Sequence, residues 1–564
     1  MPTLQKAAAS IDDTVEGAMS ATLLSLLGVT AKSEKGAAGT NDKVEWLRSQ
    51  LIGKDVEFDT PFGRRALTYA DQTASGRSLS YIEDYLVKQV LPFYGNTHTD
   101  DSHVGSKTTR LVHKAASYIK RCMGAGAGDA LIFCGAGTTA AIKRLQEIIG
   151  VALPSVEMRN RLSAQLRAEE RWVVFVGPYE HHSNLLSWRQ SLAEVVEVGV
   201  DVSPRSAARS DHQTDGYDAV FLSPHKFVGG PGTPGILLMN KSLYKLNSQP
   251  PSTCGGGTVA YVNGFNEEDT LYYDDIEERE DAGTPPILQK IHASLAFWVK
   301  EYVGYDTMDL HERLFSEMAM KRLLHNPNVM VLGNTNAHRI PFFSFLIYPS
   351  VTVKEKPFDA FGEPSCDKQL ETMKHKQLPL HGRFVTRLLN DLFGIQARGG
   401  CACAGPYGHT LLNVDKELSL RIRSAVLEGY SGLKPGWTRL SFSYYLSKEE
   451  FKFILSAIEF IATYGHRFLS LYKFDWITGN WTFRKQAVKY HIMREELSLH
   501  IEPLKQKIDQ PKRADMMDKP AVNHKKFQSY LESANKIALS IPDISNQIVS
   551  FPKGVDPDLV LFYI

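Results

Sequence analysis

The sequence predicts an α/β protein in which a doubly wound sheet is followed by a smaller α+β domain, and three observations carry that expectation. Short apolar runs at 130–133, 172–176 and 219–222 alternate with helical patterns up to about residue 240. Each run opens into a glycine-containing loop, and loops at the carboxyl ends of parallel strands are where such sheets bind ligands. Beyond about residue 305 the pattern changes to helix, strand (329–332), strand (342–348), helix (384–393), strand (438–442) and a closing helix, Lys448–Tyr464.

The composition narrows the function classes. At 564 residues the chain exceeds one small core, and 43% hydrophobic with 23% charged residues is ordinary for a soluble protein. A formal net charge of +1 provides no field toward nucleic acid or membrane, so neither is expected as a partner. No stretch approaches the roughly 20 apolar residues needed to cross a bilayer. Six scattered cysteines fit reduced thiols better than a disulfide framework, and the early acids Asp12, Asp13 and Glu16 argue against a secretory signal. A cytoplasmic location is expected.

Residues 1–42, rich in Ala, Ser, Gly and Lys, are expected to form a flexible arm with one short helix. The stretch 68–76 reads as a strand end and turn, 80–90 as a helix with Ile82, Tyr85, Leu86 and Val90 on one face, and 108–123 as an amphipathic helix. Strand 130–133 runs into Gly135-Ala136-Gly137-Thr138-Thr139, which starts a helix ending near Gly150. Free backbone donors and two hydroxyls there make an anion cradle, although for this stretch alone a plain capped helix is the better reading. Strand 172–176 delivers Tyr179-Glu180-His181-His182-Ser183-Asn184, where either histidine read singly is an ordinary loop residue.

The third run, Ala219–Leu222, delivers Ser223-Pro224-His225-Lys226 and a glycine-rich loop. A lysine at a strand's carboxyl end is expected to be partly desolvated. Burial lowers its pKa and frees the amine to condense with an aldehyde. Ser223 and His225 can donate to an anion, and the glycines leave room for a planar group. That combination reads as the Schiff-base lysine of pyridoxal 5'-phosphate (PLP). A surface lysine that merely solvates the strand end is the alternative, and only partners elsewhere in the chain decide between them. Further on, Cys254-Gly255-Gly256-Gly257-Thr258 forms a flexible turn, and Pro285-Pro286 precedes a helix through Ile287, Ile291, Leu295, Trp298 and Val303.

Taken together in order, these stations resemble the class V aminotransferase family of fold-type I PLP-dependent enzymes, especially its cysteine desulfurase branch, over about residues 66–464. The resemblance implies a large mixed, mostly parallel sheet domain (43–304), a smaller C-terminal α+β domain (305–465) and an extension of unassigned role (466–564). By that correspondence Thr138 and Thr139 bind the cofactor phosphate with Ser223 and His225, His181 stacks on the ring and relays protons, and Lys226 is the Schiff-base lysine. Gly257 and Thr258 fall where the family reaches the phosphate of a neighbouring subunit, which implies a homodimer. Arg398-Gly399-Gly400-Cys401-Ala402-Cys403 is similar to the segment in which an arginine precedes the nucleophilic cysteine by five residues. Arg398 then binds the substrate carboxylate, and Cys403, rather than Cys401, takes sulfur from L-cysteine and passes it to an acceptor protein. A metal reading of Cys401, Cys403 and His409 is short of ligands.

The sequence departs from the family between His181 and Lys226, which are only 45 positions apart. The interval is much shorter than the family's, and it lacks the strand ending in Val-Asp-x-Ala-Gln whose aspartate pairs with the pyridinium nitrogen. Asp201, 25 positions before Lys226, is the candidate substitute. Two further readings follow: a catalytically impaired protein of this fold acting as a binding or regulatory partner, or a PLP enzyme acting on another amino acid.

Overall fold

Gly235–Asn240 is apolar at every position between its ends, and in the structure it becomes a central strand with both edges paired. The computed structural model describes residues 40–198, 217–266, 268–349, 378–484, 519–541, 551–552 and 554–564. The expected flexible arm, Asp201 and Cys366 lie outside these or at their margin. The described residues group into two compact units, one from 40–52, 76–152 and 217–304 and the other from 53–75, 153–198 and 305–564.

In the first unit, Gly235–Asn240 pairs antiparallel with Asp129–Cys134 on one side and with Ala219–Leu222 on the other. The helix Gly137–Ile148 packs across all three strands through Ala141, Ile142, Leu145 and Ile148, all buried. Its 3.6-residue spacing puts these four on one face. A second layer comes from Ile287–Val303, which packs on His103–Cys122. The latter begins five residues earlier than its apolar pattern indicates because Ser102 accepts from the Gly105 N–H and caps it there. The helix expected over 80–90 is α-helical only at Ser80–Tyr85 and continues as a wider π turn at Leu86–Val90.

The second unit is built on a four-stranded antiparallel sheet ordered Val329–Val331, Phe342–Ile347, Trp437–Ser441, Arg398–Gly400. Helix Gly382–Phe393 ends at Gly394, whose φ of 73° is the left-handed conformation that glycine adopts without a Cβ penalty. Lys448–Tyr464 occupies its predicted bounds because Ser447 and Glu450 form a reciprocal capping box. Described residues beyond 466 pack into this unit's core. The hairpin Tyr472–Phe474 with Trp481–Phe483 and the helix Lys519–Ser540 supply Tyr472, Phe474, Trp481, Phe527, Tyr530 and Ala534 to the same core. The chain end returns so that Tyr563 N–H donates to Pro379 O and Phe562 lies against His381.

The described strands make a mixed α/β fold: in the first unit every named strand pair is antiparallel, and the named parallel pairs, Val173–Val176 with Glu194–Glu197 and Ile395–Gln396 with Thr68–Tyr69, both lie in the second unit. Residues 153–198 also group with the second unit rather than with 43–304. Among the described residues, Ala219–Leu222 bonds only to Gly235–Asn240, and Val173–Val176 only to Glu194–Glu197. Phe175 is left 69% exposed on its strand.

His381 is buried among Phe474, Trp481 and Phe562, and its Nδ1 accepts from the Trp481 Nε1–H at 2.8 Å. Burial, reinforced by the Arg383 charge, lowers its pKa from 6.5 to about 3. The native state therefore holds the imidazole neutral while the unfolded chain takes up a proton below pH 6.5. Stability is complete above that pH and falls as the pH drops toward 3, with a slope of up to about 1.4 kcal/mol per pH unit from this group. His381→Asn keeps an acceptor for Trp481 and removes the titration. Denaturant unfolding measured between pH 7 and pH 4 is expected to show a shallower pH slope in this variant.

Candidate functional site

The residues singled out from the sequence fall into two constellations, one in each unit. The first is organised by the start of helix Gly137–Ile148. Gly137 has φ 61°, and a Cβ there would lie 2.6 Å from Ser223 Oγ and 2.7 Å from His225 Cε1, so only glycine lets those side chains close on the helix end. Ser223 Oγ accepts from the Thr138 N–H at 2.8 Å and lies 2.9 Å from Thr138 Oγ1. Thr139 is exposed beside them. Burial, with the neighbouring Lys226 charge, lowers the pKa of His225 and favours its neutral form.

The loop that carries Lys226 is tied down on both sides. Gly76 N–H donates to His225 O at 2.9 Å, Gly229 N–H donates to Arg77 O at 2.7 Å, and the buried ring of His292 bonds Gly229 O through Nε2 at 2.7 Å. A Cβ on Gly76 would sit 1.8 Å from Phe227 O, which makes this contact possible for glycine alone. Lys226 itself is exposed at the end of a short 3₁₀ turn, Pro224–Lys226. The expected desolvation of this lysine is therefore not supplied by burial, because the turn lifts the side chain off the end of the strand.

Thr258 is fully buried, and its hydroxyl donates to Gly255 O at 2.8 Å. The neighbouring Gly257 (φ 87°) leaves room for His98, whose Nε2 would be 3.1 Å from a Cβ at that position. His98 has a left-handed φ of 63°, uncommon outside glycine. Nothing in its sequence context singled it out beyond a polar loop.

The second constellation joins the Glu180–Asn184 block to the 398–405 segment. His181 is exposed, and its Nδ1 accepts from the Ser183 N–H at 3.1 Å, capping helix His182–Arg189. Asn184 bridges Glu180 and Trp188, so the block is a hydrogen-bonded unit. Arg398 pairs through Nε with Asp71 Oδ2 at 3.1 Å, and Arg439 holds the other oxygen of the same carboxylate at 3.0 Å. Sequence reasoning treated Asp71 only as part of a turn. Its partners lie more than 300 positions away, and no local pattern announces them.

Cys401 and Cys403 flank a tight turn closed by the Ala404 N–H donating to Cys401 O at 3.0 Å. Ala402 (φ 51°) and Cys403 (φ 62°) are both left-handed, which costs about 1–2 kcal/mol each. Cys401 packs against the cluster of Leu332, Leu346 and Trp437, whereas Cys403 is exposed. Of the two thiols, Cys403 is the more exposed.

The first constellation fits the phosphate end of PLP: an open helix start with three hydroxyls and an imidazole, and a lysine on a fixed loop nearby in the chain. Asp201, proposed for the opposite end of the ring, lies outside the described residues.

Comparison with known proteins gives concordant matches. The Aminotransferase class-V family model matches residues 202–352. A probable cysteine desulfurase from Streptomyces coelicolor is 21% identical over 329 residues, 48% of this chain and 74% of the relative. Another from Staphylococcus epidermidis is 22% identical over 343 residues, 50% and 77% of the two chains. The apo structure of a cysteine desulfurase from Thermococcus onnurineus NA1 superposes with a TM-score of 0.51 at 17% identity, covering 74% of this chain and 98% of that one. At this identity the likeness is one of fold.

Proposed function

From its place in the class V aminotransferase, cysteine desulfurase-like family, whose members are PLP-dependent, we propose that this chain removes sulfur from L-cysteine by forming a persulfide on Cys403. The observation that carries the reading is the exposed thiol of Cys403 on a strained turn, one segment along from an arginine whose guanidinium is oriented by Asp71. Arg398 donates to the substrate carboxylate, and the arginine's fixed fork selects for that group.

Thr138, Thr139, Ser223 and His225 would hold the PLP phosphate and Lys226 would supply the amine, and the family resemblance assigns His181 to the ring face. When bound, the cofactor supplies an electron sink for the bonds at the substrate's α-carbon. Lys226 takes the α-proton in its neutral form and returns a proton to the carbon skeleton, which leaves as alanine. Cys403 Sγ attacks the substrate sulfur as a thiolate. Its S–S bond forms as the substrate C–S bond breaks, so the sulfur is transferred without an external oxidant. A thiol-bearing acceptor protein then takes the sulfane sulfur, and the family resemblance at Gly257 and Thr258 favours a homodimer.

Purified protein reconstituted with PLP and given L-cysteine and a thiol reductant is expected to release sulfide and alanine in equal amounts. Alanine without sulfide, or neither, would overturn the reading. A second reading, a PLP-binding protein without turnover, is favoured by one observation: among the described residues Ala219–Leu222 has no strand on its far edge, where the ring-nitrogen aspartate is otherwise carried. Protein that binds PLP stoichiometrically but yields no sulfide supports it.

A further inference from the structure

The second histidine of the Glu180–Asn184 block has no part in the reaction above, yet two of its own groups grip the cysteine turn. The His182 backbone N–H donates to Cys403 O at 3.0 Å, and the His182 ring accepts at Nε2 from the Gly405 N–H at 2.8 Å. One residue therefore holds the turn at Cys403 and again two positions later. Gly405 begins the short helix Gly405–Leu411, and its N–H is one of the first-turn donors that no intrahelical carbonyl can satisfy. The approach is close: a Cβ on Gly405 would lie 2.9 Å from Nε2. A second tie joins the same two segments, since Tyr179 packs edge-to-face on Tyr407 with ring centroids 4.7 Å apart.

The energetic argument concerns the turn itself. Two consecutive non-glycine residues with positive φ persist only where surrounding contacts over-determine them. The Ala404–Cys401 hydrogen bond and the packing of Cys401 and Ala402 on the Trp437 cluster fix the turn's first half. On the far side of Cys403, His182 bonds both Cys403 O and the Gly405 N–H, beside the Gly408 N–H to Ala404 O bond of the following helix. For Nε2 to accept, the imidazole is neutral with its proton on Nδ1, an assignment that follows from the hydrogen-bond network.

We propose that His182 is a positioning residue that clamps the Cys403 turn and so holds the Cys403 thiol in the orientation needed to attack sulfur. The role deepens the desulfurase reading and rests on it for its catalytic part, whereas the clamp stands on geometry alone. His182→Leu removes the ring acceptor and keeps the backbone contact. His182→Gln places an amide oxygen near the position of Nε2.

The test uses the full PLP-reconstituted chain, with hydrogen exchange at the Gly405 amide and steady-state sulfide release read side by side. His182→Leu is expected to lower Gly405 protection and kcat by about five- to tenfold each, the worth of one hydrogen bond, while KM for cysteine holds. His182→Gln is expected to restore both to within about twofold of the parent. Unchanged Gly405 protection in His182→Leu overturns the clamp, whether or not the protein makes sulfide. Lost protection with unchanged kcat overturns the positioning role. If the parent makes no sulfide while protection follows the expected pattern in both variants, the clamp is supported and the desulfurase reading fails. Should His182→Leu not fold, failure of His182→Gln to retain protection and kcat overturns the proposal by itself.

Discussion

Lys226→Ala is expected to reduce sulfide release by about 10⁴-fold or more, since it deletes both the amine that links the cofactor and the group assigned to the α-proton. The surrounding loop should survive the change. Its shape is set by backbone contacts, Gly76 N–H to His225 O and Arg77 O to Gly229 N–H, and by the His292 ring on Gly229 O, none of which involves the Lys226 side chain. The helix start at Gly137 with Thr138 and Ser223 is equally independent of it. The variant is therefore expected to bind PLP through the phosphate alone. Absorbance spectra before and after dialysis check this: the parent keeps a visible band from lysine-linked cofactor, and the variant loses it and releases the cofactor on dialysis. An unchanged spectrum would remove Lys226 from the chemistry. Its exposure leaves the amine accessible to an incoming aldehyde.

How much of this was legible in the sequence depended on range. Local signals served well: the helical pattern over Lys448–Tyr464 marked that helix, and the apolar run at 219–222 marked the strand that delivers Lys226. The strands that lead into Thr138, His181 and Lys226 were placed by such signals, whereas the Cys403 segment was found only through the family resemblance. Contacts between distant segments were not legible. Asp71 reads as a turn residue until Arg398 and Arg439 meet it, and the chain end reads as an apolar tail until Phe562 closes over His381. Strand partnership is likewise a long-range property: among the described residues Ala219–Leu222 pairs antiparallel with Gly235–Asn240, which the alternation of strands and helices does not specify. The exposure of Lys226 was missed because a strand-end position fixes where the backbone goes, whereas the 3₁₀ turn at Pro224–Lys226 fixes where the side chain goes.

Cys403→Ser is the change expected to separate sulfur transfer from every other step. Serine matches cysteine closely in size, and the position is exposed, so the fold of the second unit should hold within about 0.5 kcal/mol. A hydroxyl has no accessible anion at neutral pH and cannot store sulfur as a persulfide, so sulfide release is expected to fall by about 10³-fold or more. Cofactor binding, which is assigned to Thr138, Thr139, Ser223, His225, Lys226 and His181 rather than to Cys403, should be unaltered. Cys401→Ser provides the contrast. Cys401 is half-buried against Leu332, Leu346 and Trp437, and its substitution is expected to cost stability, about 1 kcal/mol for a hydroxyl placed on an apolar cluster, while leaving most of the turnover. Mass spectrometry of protein quenched during turnover reads the outcome directly. A gain of one sulfur atom on the peptide carrying Cys403, kept in Cys401→Ser and absent in Cys403→Ser, is the expected pattern. If the added sulfur instead disappears in Cys401→Ser and persists in Cys403→Ser, the packed thiol is the acceptor, and the turn must open during the reaction for the substrate to reach it.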